Sequence, residues 1–378
     1  MISWKCAAKT VTLQKLFSMA IQKNKKTSIK DIAREVGVSP ALESFVLNGK
    51  QKQYRVSDEM AEKILEAVKR LDYKPNGFAK ALREGSSHTI GVIVSDISNP
   101  FFSNMVKSIE TVAEEQGYMA LFASSDEKSD KLSSLIDRML GKEVEGLIVV
   151  PCEGSETIIR KLDRKRIPYV LLDRHIPEIR SNYVCLDNVK AGYEATEWLL
   201  RNGHKKIALV CYDLELSNMK GRLEGYRKAM EDNGVGEYVH IEYADIEKMD
   251  RSCDSAIDKI AAEGCEAIVC ATNSITVSCL RAIQKRGIKV PGEICIMGFD
   301  GGNEFDFYNA PLAFMTQPGE MIARRAVEIL VNNLTPGDSM TYQIEAEGSI
   351  SIYNPLNTNA LGGGKSGVKK IYIKTKSL

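Results

Sequence analysis

Side chains able to make or break bonds are few in this chain, and they are spread out. The four histidines stand at 88, 175, 204 and 240, with no spacing that a metal-binding motif uses. No GxSxG, HExxH or GxGxxG occurs. GGGKS at 362–366 imitates the end of a phosphate-binding loop, but the first glycine of GxxxxGK[ST] would fall on Asn359 and no buried strand precedes it. The nine cysteines contain no CxxC pair, and several lie inside apolar segments such as AIVCAT and EICIMGF, so they read as reduced, mostly buried small hydrophobes. Asp126 and Asp300 are the only carboxylates worth testing as an acid–base pair. No metal and no cofactor is expected, and the chemistry left is that of binding.

Six polar segments with interleaved aromatics carry it: SDISNPFF (95–102), SSDEKSD (124–130), DRH (173–175), YDLELSNMKGR (212–222), TNS (272–274) and FDGGNEF (299–305). They lie at or just after short apolar runs, TIGVIV, YMALFA, EGLIVV, PYVLLD, KIALVC, EAIVCA and EICIMGF, which read as strands. Amphipathic stretches such as FFSNMVKSIETVAEEQG separate the runs by the length that parallel β-α-β crossovers need. The pattern predicts a doubly wound α/β body, and its size suits two lobes. Ligands of such sheets bind beyond the C-terminal ends of the strands, so the polar segments predict a site for a hydroxyl-rich or heterocyclic molecule.

The front of the chain differs in kind. Residues 1–87 hold 17 Lys+Arg against 9 Asp+Glu, while the remainder holds 34 against 41, so a basic segment precedes an acidic body. A basic front implies a polyanion as partner. Within it, Ile29, Ile32, Ala33 and Val36 recur at helical spacing, Gly37 supplies a turn, and Ser39-Pro40 starts a second helix that should reach about Leu47. A third helix opens at Ser57 with Ala61, Ile64, Leu65, Val68 and Leu71 on one face. Ala33, Gly37 and Val46 comply with helix-turn-helix spacing, in which a small residue, a φ > 0 turn and an apolar closing position recur. Glu43 sits where that motif buries an aliphatic side chain. It must be desolvated, reach solvent at the edge, or find a cation such as Arg34.

The segments SIKDIAREVGVS, VLNGK, RVSDEMAEKILEAVKRLDYKPNGFAKALREG, TIGVIVSDISNPFF, RLEGY, FDG and TQP occur in an order that resembles the LacI/GalR family of bacterial transcription regulators, over residues 28–353. The resemblance implies a homodimer on a pseudo-palindromic double-stranded DNA operator, with hinge helices in the minor groove and a two-lobed, periplasmic-binding-protein-like body that takes a small effector. By position it places Pro40, Ala41, Ser44 and Phe45 toward the major groove, Asn48 near a phosphate, and Leu82 as the hinge wedge with Ala79 beside it. Lys30 and Lys50 would hold phosphates. Around the effector cleft it places Phe101, Phe102, Asp126, Arg174, Arg222, Asn273 and Asp300. The structural alternatives are that Asp300 caps a turn and that Arg222 pairs with Glu224 or Glu215.

The domain organisation expected is an N-terminal extension (1–26), a helix-turn-helix domain (27–74), a hinge (75–87), a two-lobed effector-binding and dimerisation domain (88–354) and a basic tail (355–378), with Met19 as an alternative start. The function expected is a cytoplasmic, nucleoid-associated transcription repressor, not an enzyme, governed by a sugar rather than a purine. No run approaches the length needed to cross a bilayer, so no membrane association is expected. The competing reading is a cytoplasmic sugar-binding or sugar-processing protein on the same body, with a non-functional DNA-binding segment.

Overall fold

A computed structural model describes residues 27–73, 86–306, 308–334 and 340–353, in two units that divide between Ser87 and His88. Ala79 and Leu82 lie outside the described residues.

Among the described residues the first unit has three helices, α1 (Ile29–Val36), α2 (Pro40–Leu47) and α3 (Asp58–Arg70). Asp31 caps α1 by accepting from the Ser28 N–H at 2.9 Å and from its hydroxyl at 2.6 Å. Gly37 ends that helix at φ 78°, a left-handed conformation, and its N–H returns to the Ala33 carbonyl at 2.9 Å. Helix α2 opens with the Ser39 hydroxyl accepting from the Leu42 N–H at 3.2 Å and with Pro40 in the first helical position. Ile32, Ala33, Val46, Ala61, Ile64 and Ala67 fill the core. Leu65, expected on the inner face of α3, is 46% exposed instead. It lies one residue, about 100° of helix, past Ile64, and two short partner helices cover only a narrow stripe. Ser39→Ala is expected to cost this unit about 1 kcal/mol, seen as faster amide exchange across residues 27–73 with exchange in the second unit unchanged.

The second unit contains two sheets. The first has the order β11-β5-β4-β3-β1-β2, all parallel, from β1 (Thr89–Val94), β2 (Met119–Ser124), β3 (Gly146–Val149), β4 (Tyr169–Asp173), β5 (Tyr183–Leu186) and β11 (Gln343–Ala346). The second has the order β12-β10-β9-β8-β6-β7, from β6 (Ile207–Tyr212), β7 (His240–Ala244), β8 (Ala267–Cys270), β9 (Cys295–Phe299), β10 (Leu312–Thr316) and β12 (Ser349–Tyr353), with β12 alone antiparallel. Helices cover both faces of each sheet, so the strands alternate between two apolar cores. Ile90, Val92 and Val94 enter one core of the first lobe, and Ile93 with Leu147 enters the other.

Three crossovers join the lobes. The chain leaves β5 through Asp187 for α7 (Asn188–Arg201) of the second lobe, returns through Gln317 to α11 (Gly319–Leu334) of the first, and passes from β11 through Glu347 and Gly348 to β12. Two of these are tied, because the Asp187 N–H donates to the Ala346 carbonyl at 2.9 Å. In the second lobe α7 packs on α8 (Ser217–Asp232) through glycines. A Cβ on Gly192 would lie 2.4 Å from the Arg222 carbonyl oxygen, and one on Gly225 would lie 2.1 Å from that of Val189.

Candidate functional site

Helix α2 presents two faces of opposite character. Pro40 and Ala41 are exposed, Ser44, Phe45 and Asn48 are partly exposed, and the five recur at the spacing of one helical stripe. Phe45 is not isolated: its ring stacks flat on Tyr54 at 3.6 Å with an interplanar angle of 2°, making an apolar slab beside the helix. The Asn48 amide donates to the Ser44 carbonyl and to the Ser44 hydroxyl. Lys30 and Lys50 are exposed. The inner face of α2 carries Leu42, Glu43 and Val46, and Glu43 is buried with neither carboxylate oxygen in a well-formed hydrogen bond. Arg34 does not reach it, since that guanidinium is exposed and pairs with Asp31 at 3.5 Å. Burial pushes the Glu43 carboxyl up to about 7, with the Ala33 backbone N–H pulling weakly the other way.

In the second unit the polar segments after the strands meet between the lobes. Arg174, just past β4, is buried and bound on both forks by Glu127, at 2.8 and 3.0 Å, while its Nε donates to Asp173 at 3.2 Å. Asp173 also accepts from Asn218 of the second lobe at 3.1 Å. Burial works against the Arg174 charge, but the Glu127 and Asp173 carboxylates outweigh it and hold the guanidinium firmly protonated. Arg222, on α8, is equally buried: its Nε donates to Asn188 at 2.9 Å, a terminal nitrogen donates to the Ala271 carbonyl, and its carbon lies 4.2 Å from the centre of the Phe299 ring. Burial lowers its pKa, opposed by Asp300 and Asp173.

Asp300 has φ 58° and accepts from the Gln317 amide at 2.9 Å, so it binds the second crossover. Burial pushes its carboxyl up to about 6, against the pull of Arg222 and Gln317. Asn273, at the start of α10 (Asn273–Lys285), donates to the Asp300 carbonyl at 2.7 Å and to Glu304. Arg174, Arg222, Asn273 and Asp300 therefore belong to one polar interlobe network.

Asp126 and Phe102 are placed otherwise. Asp126 is exposed and pairs with Lys131 at 2.5 Å, while the next residue, Glu127, turns inward to Arg174. Both residues have positive φ, a local twist that sequence spacing does not reveal. Phe102 is buried in the first lobe's core, edge-on to the half-buried Phe101 at 4.9 Å. Glu127, Asp173, Asn188, Asn218 and Gln317 escaped residue-by-residue reading, although two of the quoted polar segments contain Glu127 and Asp173 and a third contains Asn218. Asp126 and Asp300 have unlike surroundings, and no acid–base pair forms from them.

A small helix-turn-helix unit and a two-lobed α/β body with a charged interlobe network define an effector-controlled, DNA-binding regulator of transcription. The chain belongs to the LacI family of bacterial regulatory proteins: that family's profile matches residues 28–76, and the profile described as periplasmic binding protein domain matches residues 90–337. Catabolite control protein A of Priestia megaterium is 31% identical over 80% of this chain and 91% of its own length. The HTH-type transcriptional repressor PurR of Vibrio campbellii is 28% identical over 87% of this chain and 98% of its own. The crystal structure of the lac repressor dimer bound to operator and the anti-inducer ONPF shares the fold, with a TM-score of 0.75 at 23% identity over 86% of this chain and 98% of that one. These relatives are regulators, not enzymes.

Proposed function

We propose that the protein is a cytoplasmic, nucleoid-associated homodimeric repressor whose grip on a pseudo-palindromic operator is set by a carbohydrate held between the lobes. The observation that carries the choice of ligand is the supply of carboxylate and amide oxygens in the cleft: Asp173, Glu127 and Asp300 cluster on two buried arginines, and Gln317 leaves a buried carbonyl oxygen without a donor. Hydroxyl groups donate to such acceptors, and an unmatched buried acceptor favours a ligand that supplies the donor. A flat heterocycle is less well served, because Phe102 is spent in the core and Phe101 remains as the one expected platform. Glu127 takes the role expected of Asp126, and Arg174 acts as its rigid mount rather than as a donor to an anionic ligand.

On the DNA side, the exposed stripe of α2 supports base reading by apolar contact with thymine methyls from Pro40, Ala41 and the Phe45–Tyr54 slab, with Ser44 as the polar reader. Ligand binding to residues of both lobes changes the angle between them at the crossovers, and the angle sets the spacing of the two headpieces in the dimer.

The test is a gel shift on the gene's own upstream region together with a thermal-shift screen of mono- and oligosaccharides and purines. Salt-sensitive binding to a palindromic fragment and one stabilising sugar that alters that binding are expected. Arg222→Lys should weaken the response to that sugar by about tenfold or more, since it loses a buried charge-assisted fork. Absence of salt-sensitive binding to any palindromic fragment would overturn the regulator reading, and stabilisation by a purine alone would overturn the choice of ligand.

A further inference from the structure

Strands β4, β5 and β11 run side by side, and their register sets Asp173 beside Cys185 and Cys185 beside Glu345. Partnered residues project from the same face of a sheet, so the three side chains make a row across the first lobe. Asp173 is engaged by Arg174 and Asn218. His175, two residues beyond the end of β4, brings its Nδ1 to 4.0 Å from the Cys185 sulfur. One ligand atom from each of His175, Cys185 and Glu345 lies within 4.8 Å of the others.

Both outer members of this trio are oriented by one tyrosine. The His175 ring stacks on Tyr183 at 4.4 Å and 15°, and the Tyr183 hydroxyl donates to Glu345 at 3.3 Å. Such fixing of ring and carboxylate is what a ligand set needs from its surroundings. Cys185 is buried and Glu345 exposed, so the trio opens to solvent on one side.

We propose that His175, Cys185 and Glu345 bind one borderline-soft divalent transition-metal ion, zinc foremost, through nitrogen, sulfur and oxygen, with a fourth position open. Bonds of about 2.0–2.3 Å place tetrahedral ligands roughly 3.4–3.8 Å apart, so the trio has to contract by up to about 1.4 Å, within the reach of side-chain torsions. The sulfur and the single carboxylate exclude magnesium and calcium, which take several oxygens. Coordination replaces the S–H bond of Cys185 by a sulfur–metal bond and releases that proton to solvent. The site also bears on the lobes: Cys185 lies two residues before the first crossover, Glu345 two before the third, and the His175 N–H donates to Ser217 of the second lobe at 3.0 Å. An occupied site would brace the framework on which the lobes turn, and this last step alone rests on the function proposed above.

The experiment is titration of the full-length, phosphine-reduced protein with Co²⁺, followed by displacement with Zn²⁺. One Co²⁺ per chain with a thiolate-to-cobalt absorption band is expected. Cys185→Ser should abolish the band, and His175→Ala and Glu345→Gln should each weaken binding by about tenfold or more, while Cys265→Ser leaves the band intact. No thiolate band, or a band that survives Cys185→Ser, overturns the proposal. Glu345 is exposed, so Glu345→Gln is the variant that keeps its fold, and unchanged Co²⁺ affinity in it also overturns the proposal. Operator binding by the metal-free protein is measured alongside, which separates failure of this site from failure of the regulator reading.

Discussion

Replacing Glu43 by Val is expected to stabilise the helix-turn-helix unit by about 2–3 kcal/mol at pH 8, the scale set by an unsatisfied buried carboxylate. The carboxyl is fully covered, has no cation, and titrates near 7 in the folded state against an ordinary value of 4.5. The folded unit therefore holds a proton that the unfolded chain releases between those values. Stability is highest below about 4.5, falls as pH rises, and levels off above about 7. At about 1.4 kcal/mol per pH unit the whole change is capped at about 3.5 kcal/mol, a large share of what so small a unit has. Tyr73, the neighbour that senses the Glu43 charge, has its own pKa raised and stays neutral throughout this window. Amide exchange over residues 27–73 in the full-length protein, corrected for its intrinsic pH dependence, should show protection declining from pH 5 to pH 8. Glu43→Gln should flatten that decline, and Glu43→Val should flatten it and raise protection, with no change in preferred bases. A flat profile in the unaltered protein would refute the buried-charge account.

The second large effect is expected at Gly225. Its Cβ position lies 2.1 Å from the Val189 carbonyl oxygen and 2.5 Å from the Tyr193 nitrogen, both main-chain atoms of α7 that cannot swing aside. Gly225→Ala must push α8 away from α7, at a cost of about 1–3 kcal/mol or more. Because Gly192 and Gly221 meet α8 and α7 at the same crossing, the shift also moves Arg222 off Asn188 and Phe299. Urea denaturation should show a lower midpoint for the body, and sugar-induced stabilisation should drop with it. Gly319→Ala, where a methyl meets nothing within 4 Å, is the control. A Gly225→Ala protein with an unchanged midpoint would show that the crossing is looser than these distances require.

The seven apolar runs that read as strands form β1, β2, β3, β4, β6, β8 and β9, and those strands are central or long enough to be apolar throughout. Of the remaining strands, β10, LAFMT, is central and almost wholly buried and has no expectation attached to it, whereas β5 is the four residues YVCL, β7 is mixed in burial and β11 carries two exposed polar residues in four. Local composition cannot separate such segments from loops, since long-range pairing makes them strands. The same limit governs the sites. Helix α2 is legible because its signals, Ser39-Pro40 and the apolar spacing, are local. The partners of Arg174 and Arg222 are not, because Glu127 and Asn188 lie 47 and 34 residues away and only folding brings them in. His175 and Cys185 look scattered for the same reason, as nothing in their spacing announces that β4, β5 and β11 are neighbours.

The edge strands β11 and β12 are the last two elements described, one closing each sheet beside β5 and β10. Neither lobe can be completed while the ribosome still holds the segment after α11, although the helix-turn-helix unit has long since emerged. During synthesis the nascent chain thus exposes a finished DNA-binding unit ahead of two open sheets, and a premature stop before residue 343 would release a headpiece tethered to a body without either edge.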